Sequence, residues 1–67
     1  MSEWIGVVQL SFNTGEIIGE TLINLDNVRY IVVTKDIVSF VDGKNIKVNR
    51  ESMKVLLDAI ETIRGRA

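Results

Sequence analysis

The sequence predicts a mainly β, α+β fold: a five-strand antiparallel meander, or a small barrel formed by its curling, followed by one C-terminal amphipathic helix. Three observations lead there. Up to residue 48 the apolar residues fall in short β-branched and aromatic runs of the kind that forms strands. Asn, Asp and Gly separate these runs at hairpin-like intervals, and each of those residue types favours turns. From residue 49 the apolar spacing changes to three and four, which marks a helical stripe.

The first strand is expected over residues 4–12, with Trp4, Gly6, Val8, Leu10 and Phe12 on one face and Ile5, Val7, Gln9 and Ser11 on the other. Asn13-Thr14-Gly15 is a turn signal, Gly15 being suited to positive φ. The second strand covers residues 16–25, and Gly19 within it suggests a bulge or bend. Asp26-Asn27 turns the chain into residues 28–33, VRYIVV, the strongest strand signal. Thr34-Lys35-Asp36 turns into a fourth strand over 37–41. Asp42-Gly43 reads as a two-residue type I′ hairpin leading to a closing strand over 45–48.

The helix is expected over about 50–64. Met53, Leu56, Leu57, Ile60 and Ile63 form its apolar stripe. Asn49 is placed to cap it, and Glu51 suits the positive end of its dipole. Lys54 and Asp58, four apart, should add weak support. Arg64 falls in the last turn and Gly65 is placed to end it.

Sixty-seven residues make one domain, over 1–67. A chain this short buries only about 60% of its unfolded surface and usually gains stability from disulfides, a metal or association. There is no Cys and no His, so no disulfide is available and a zinc site is disfavoured. Association is the remaining route. The third strand sharpens this point, because Val28, Tyr30 and Val32 lie on one side while Ile31 and Val33 lie on the other. One helix covers one sheet face, so the second face calls for barrel closure or another subunit.

The same absences narrow the chemistry. Without His or Cys, catalysis would fall to Asp, Glu, Lys, Ser, Thr or Tyr, and no spacing pairs two carboxylates, seats a base beside Ser39 or Ser52, or forms a phosphate loop. The chain reads as a non-enzyme without cofactor or metal. No apolar run approaches the roughly 20 residues that cross a bilayer, and the first residues lack a basic signal-peptide region. A cytoplasmic location without membrane insertion is expected.

Charge is unevenly distributed. The net charge is −1, yet residues 1–27 carry four acids and no base, while residues 28–67 carry eight bases and five acids. The imbalance is either ordinary solubilising charge or two faces of opposite sign. Arg29, Lys35, Lys44, Lys47 and Arg50 fall near Tyr30 and Phe40 in the predicted sheet. Rings beside cations on a sheet suit single-stranded nucleic acid; equally, the rings are core and the cations solvated. Trp4, Ile31, Val33, Leu57 and Ile60 are the candidates for a self-association surface.

Val28-Arg29-Tyr30-Ile31, Thr34-Lys35-Asp36, Asp42-Gly43-Lys44 and Glu51-Ser52 follow one another as strand, turn, hairpin and helix start. In this order they resemble the FlbD family of small flagellar proteins, whose Pro-Asp-Thr signature reads Lys35-Asp36-Ile37 here. That resemblance implies a small protein with no catalytic residues. Gly15 through Leu22 to Asp26, followed by residues 28–33, is similar to the first motif of Sm-like barrels such as Hfq, which implies a ring that binds RNA. Tyr30 stands where that family has Asn, and a C-terminal helix replaces its N-terminal one. A fainter similarity is to half of a LytTR DNA-binding domain. The functional expectation is a small interaction or adaptor module that self-associates, partnered by itself or by another protein. The alternative is a nucleic-acid-binding small barrel.

Overall fold

The computed structural model describes residues 3–65. It contains five antiparallel strands and one C-terminal helix: β1 Trp4–Leu10, β2 Ile17–Asn24, β3 Val28–Val32, β4 Ile37–Phe40, β5 Asn45–Val48 and α1 Arg50–Gly65. The expected architecture is therefore present. The sheet is open, so of the two arrangements the barrel does not form.

The strand order is β2-β1-β5-β4-β3. Hairpins join β1 to β2 and carry β3 through β4 to β5, and the two groups meet where Gln9 and Leu10 pair with Val48 and Lys47. Consecutive strands β2 and β3 do not pair. They are joined by a 3₁₀ turn, Leu25–Asn27, capped by the Asn24 carboxamide oxygen, which accepts from the Asp26 N–H at 3.0 Å. That tight turn sends β3 away from β2, and both become edge strands.

Several strands end earlier than their apolar runs, and hydrogen bonding explains where. Ser11 leaves β1 because its N–H donates to Glu16 O and its own carbonyl accepts from Gly15 N–H, closing the loop that contains Phe12. Gly15 takes φ 74° there, as its type suggested. Val33 leaves β3 for a second 3₁₀ turn, Val33–Lys35. The expected bulge is found next to Gly19: Gln9 pairs with Gly19 but Leu10 with Ile17, which leaves Ile18 as the extra residue.

The Asp42-Gly43 turn differs from the type I′ expectation. Gly43 has φ 90°, but Asp42 is not in the positive-φ region. The Phe40 carbonyl accepts from Gly43 N–H at 3.0 Å and the Phe40 N–H donates to Lys44 O at 2.9 Å. The Asp42 side chain accepts from Lys44 N–H at 3.0 Å. This is a type I turn followed by a left-handed glycine, which asks for positive φ only at Gly43.

The core lies between the sheet and α1. Val7, Ile23, Val38, Val48, Met53 and Leu56 are buried. The pleat places Ile5 and Val7 on this side with Ile23, so the face containing Trp4 is turned outward. The helix start is held as expected, with Asn49 Oδ1 accepting from Ser52 N–H at 2.8 Å. Ser52 then serves the sheet: its hydroxyl oxygen accepts from Val8 N–H at 2.8 Å, while Val8 O accepts from Asn49 N–H. These two bonds continue β1's edge pairing past the end of β5. Lys54 and Asp58 form no ion pair; both are exposed, and such pairs gain little in water.

Candidate functional site

A groove of about 390 Å³ runs beside the free edge strand β3. Val28, Ile31 and Val33 line it from β3 and the turn after it, and Leu57 and Ile60 from the helix. Leu25, from the turn that breaks the sheet, also contributes, with Arg29 and Tyr30. The helix places Leu57 and Ile60 on one stripe because they are three residues apart, one turn beyond the buried Met53 and Leu56.

Four of the five residues expected at a self-association surface, Ile31, Val33, Leu57 and Ile60, meet in this groove. Ile31, Leu57 and Ile60 also pack against the core, whereas Val33 is 45% exposed. Trp4 does not line it. That residue is 59% exposed at the start of β1, on the outward sheet face with Leu22. Leu25 and Val28 were not among the sequence candidates. Their signal was weak: both flank a turn, where an apolar residue is usually read as the end of a strand.

The cations are dispersed. Arg29 occupies an irregularity in the β3–β4 pairing, its guanidinium 5.7 Å from the centre of the Tyr30 ring, within cation–π range. Tyr30 is 51% exposed rather than core, while Phe40 packs against the core. Lys44 lies beside Phe40 at one end of β4, and Lys35 and Arg50 lie at the other. Four strand residues separate those ends, roughly 13 Å. Lys47 sits on β5 between Leu10 and Ile37.

Arg50 is already engaged, its guanidinium 3.3 Å from Asp36 Oδ2. Asp36 itself is in the left-handed region at φ 56°, ψ 38°. Its other carboxylate oxygen is buried without a hydrogen-bond partner. The ion pair links the turn before β4 to the first residue of the helix.

Among the described residues, no three carboxylates come together where a metal ion could be held. No helix among the described residues is long and apolar enough to cross a membrane. The two buried hydroxyl residues are Ser39 and Ser52, and the Ser52 oxygen is committed to Val8 N–H. The described geometry therefore offers an apolar groove, two unpaired strand edges and exposed apolar side chains. Comparison of the chain with protein-family models, curated proteins and solved structures finds no match in any of the three.

Proposed function

We propose that the protein is a non-enzymatic interaction module that self-associates. The observation carrying this reading is the groove beside β3, where Ile31, Val33, Leu57 and Ile60 converge next to a strand edge with no neighbour. An apolar groove next to unpaired backbone suits a protein segment better than a polar small molecule. Sedimentation velocity and light scattering across a dilution series test it. Association is expected in the micromolar range, and Val33→Glu, at an exposed position, should weaken it at least about tenfold while leaving the circular dichroism unchanged. A strictly monomeric protein up to about 100 μM would overturn the proposal.

A second reading, single-stranded nucleic-acid binding, rests on the Arg29–Tyr30 pair, a cation over an exposed ring on a sheet strand. Fluorescence anisotropy with labelled oligonucleotides tests it. Binding that falls steeply with salt and with Tyr30→Ala would support it; no binding at low salt would eliminate it.

A further inference from the structure

The open sheet has two free edges, and the strand order gives them opposite charge. Residues 3–27, with four acids and no base, hold the β1–β2 side of the sheet; the more basic part of the chain begins with β3. The β2 edge carries Glu20, with Glu16 just before it, while Asp26 lies in the turn that joins β2 to β3. The β3 edge carries Arg29, with Lys35 in the turn that follows. All five are exposed. A sequence asymmetry that need not have been spatial is thus divided between the two free edges, which meet only at the turn Leu25–Asn27.

The β2 edge is also open and apolar. The Leu25 N–H donates to Glu3 O, so in the antiparallel ladder Ile23 and Thr21 also direct their backbone groups to β1. Glu20, Leu22 and Asn24 then direct theirs outward. Ile17, Ile18 and Leu22 are 63–70% exposed. A long apolar edge of this kind is a template for strand addition unless something covers it.

We infer that the occupant of the β3 edge is the β2 edge of a second copy, joined head to tail. The inference rests on the self-association reading and specifies its geometry. Pairing like edges would place Glu20 near its own copy, or Arg29 near its own. Pairing unlike edges brings acids to bases. Four antiparallel steps separate β2 from β3, so the two edges run in the same direction. The second copy's β2 therefore meets β3 as a parallel neighbour.

Because the contact is heterologous, a pair of copies keeps one free edge of each kind. Assembly continues unless the rotation between copies closes a ring.

Charge reversal tests the pairing. Glu16→Lys/Glu20→Lys and Arg29→Glu/Lys35→Glu alter only exposed side chains and should keep the wild-type circular dichroism. If either does not, the single variants Glu20→Lys and Arg29→Glu carry the same test. Each variant alone, at low salt, is expected to associate at least about tenfold more weakly than wild type in sedimentation velocity, because its two edges then share one sign. An equimolar mixture is expected to regain wild-type mass, since every contact between unlike variants again pairs acid with base. Variants that associate as strongly as wild type would overturn the edge pairing while leaving self-association in place. Variants that dissociate but fail to recover on mixing would overturn the head-to-tail order. A monomeric wild type would overturn the self-association reading itself.

Discussion

Replacing Ser52 by Ala should be among the more damaging small changes in this chain. Ser52 is 7% exposed, and its hydroxyl oxygen accepts from the Val8 N–H at 2.8 Å. β5 has already ended beside Gln9, so no strand backbone replaces that acceptor. Removing the oxygen leaves a part-buried donor without a partner, which costs about 1–3 kcal/mol. Unfolding entropy of about 2.1 cal/mol/K per residue gives roughly 140 cal/mol/K for 67 residues. The expected fall in Tm is then about 7–20 °C. Urea unfolding followed by circular dichroism, at one fixed protein concentration, measures the free energy directly. Thr62→Ala is the control: the Thr62 hydroxyl donates to Asp58 O on the exposed helix surface, and its loss should stay within about 0.5 kcal/mol. If Ser52→Ala proves as mild as Thr62→Ala, the Val8–Ser52 bond does not hold the helix start to the sheet.

Leu56→Ala removes a fully buried side chain, which costs about 2–5 kcal/mol. A chain of this length has only about 3–10 kcal/mol in total, so the variant should lose about half its stability, read as a lower midpoint in urea unfolding followed by circular dichroism. Gly43→Ala and Gly19→Ala both place a methyl in open space, yet only Gly43 has positive φ. The first should therefore lose about 1 kcal/mol while the second is neutral or slightly stabilised in the same urea titration. At Asp36, left-handed at φ 56°, Ala should be less stable than Gly by about 1 kcal/mol; equal midpoints would show that the conformation carries no strain.

The elements legible in the sequence are those set by local chemistry. Asn49 is a cap because its side chain reaches Ser52 N–H three residues on. The irregularity beside Gly19 and the positive φ of Gly15 follow from glycine's lack of a Cβ. Strand order was not legible, because β1 and β5 pair across 39 residues of chain and no turn residue records that choice. The outward face was equally hidden: alternation puts Trp4 opposite in phase to Ile5 and Val7, and only packing against Met53 and Leu56 selects between them. Tyr30 is exposed for the same reason, since Ile31 takes the inward position. The groove was half visible. The helical stripe announced Leu57 and Ile60, but Leu25 joins them through a 3₁₀ turn that an apolar run does not reveal.

The pairing of Gln9 and Leu10 with Val48 and Lys47 also sets the order of events during synthesis. The β1–β2 hairpin has all its residues by Asn24, but its inner face has nothing to pack on until Val48, Met53 and Leu56 are made. At about 5–20 residues per second, the 32 residues from Asn24 to Leu56 take roughly 2–6 s, far longer than the microseconds a hairpin needs to form. Throughout that interval a nascent chain displays Ile17, Ile18, Leu22 and Ile23 together. The acidic hairpin, with Glu16 and Glu20 and no base, gives neighbouring nascent chains the same charge. Mutual repulsion would hold unfinished copies apart until the first strand can join the last.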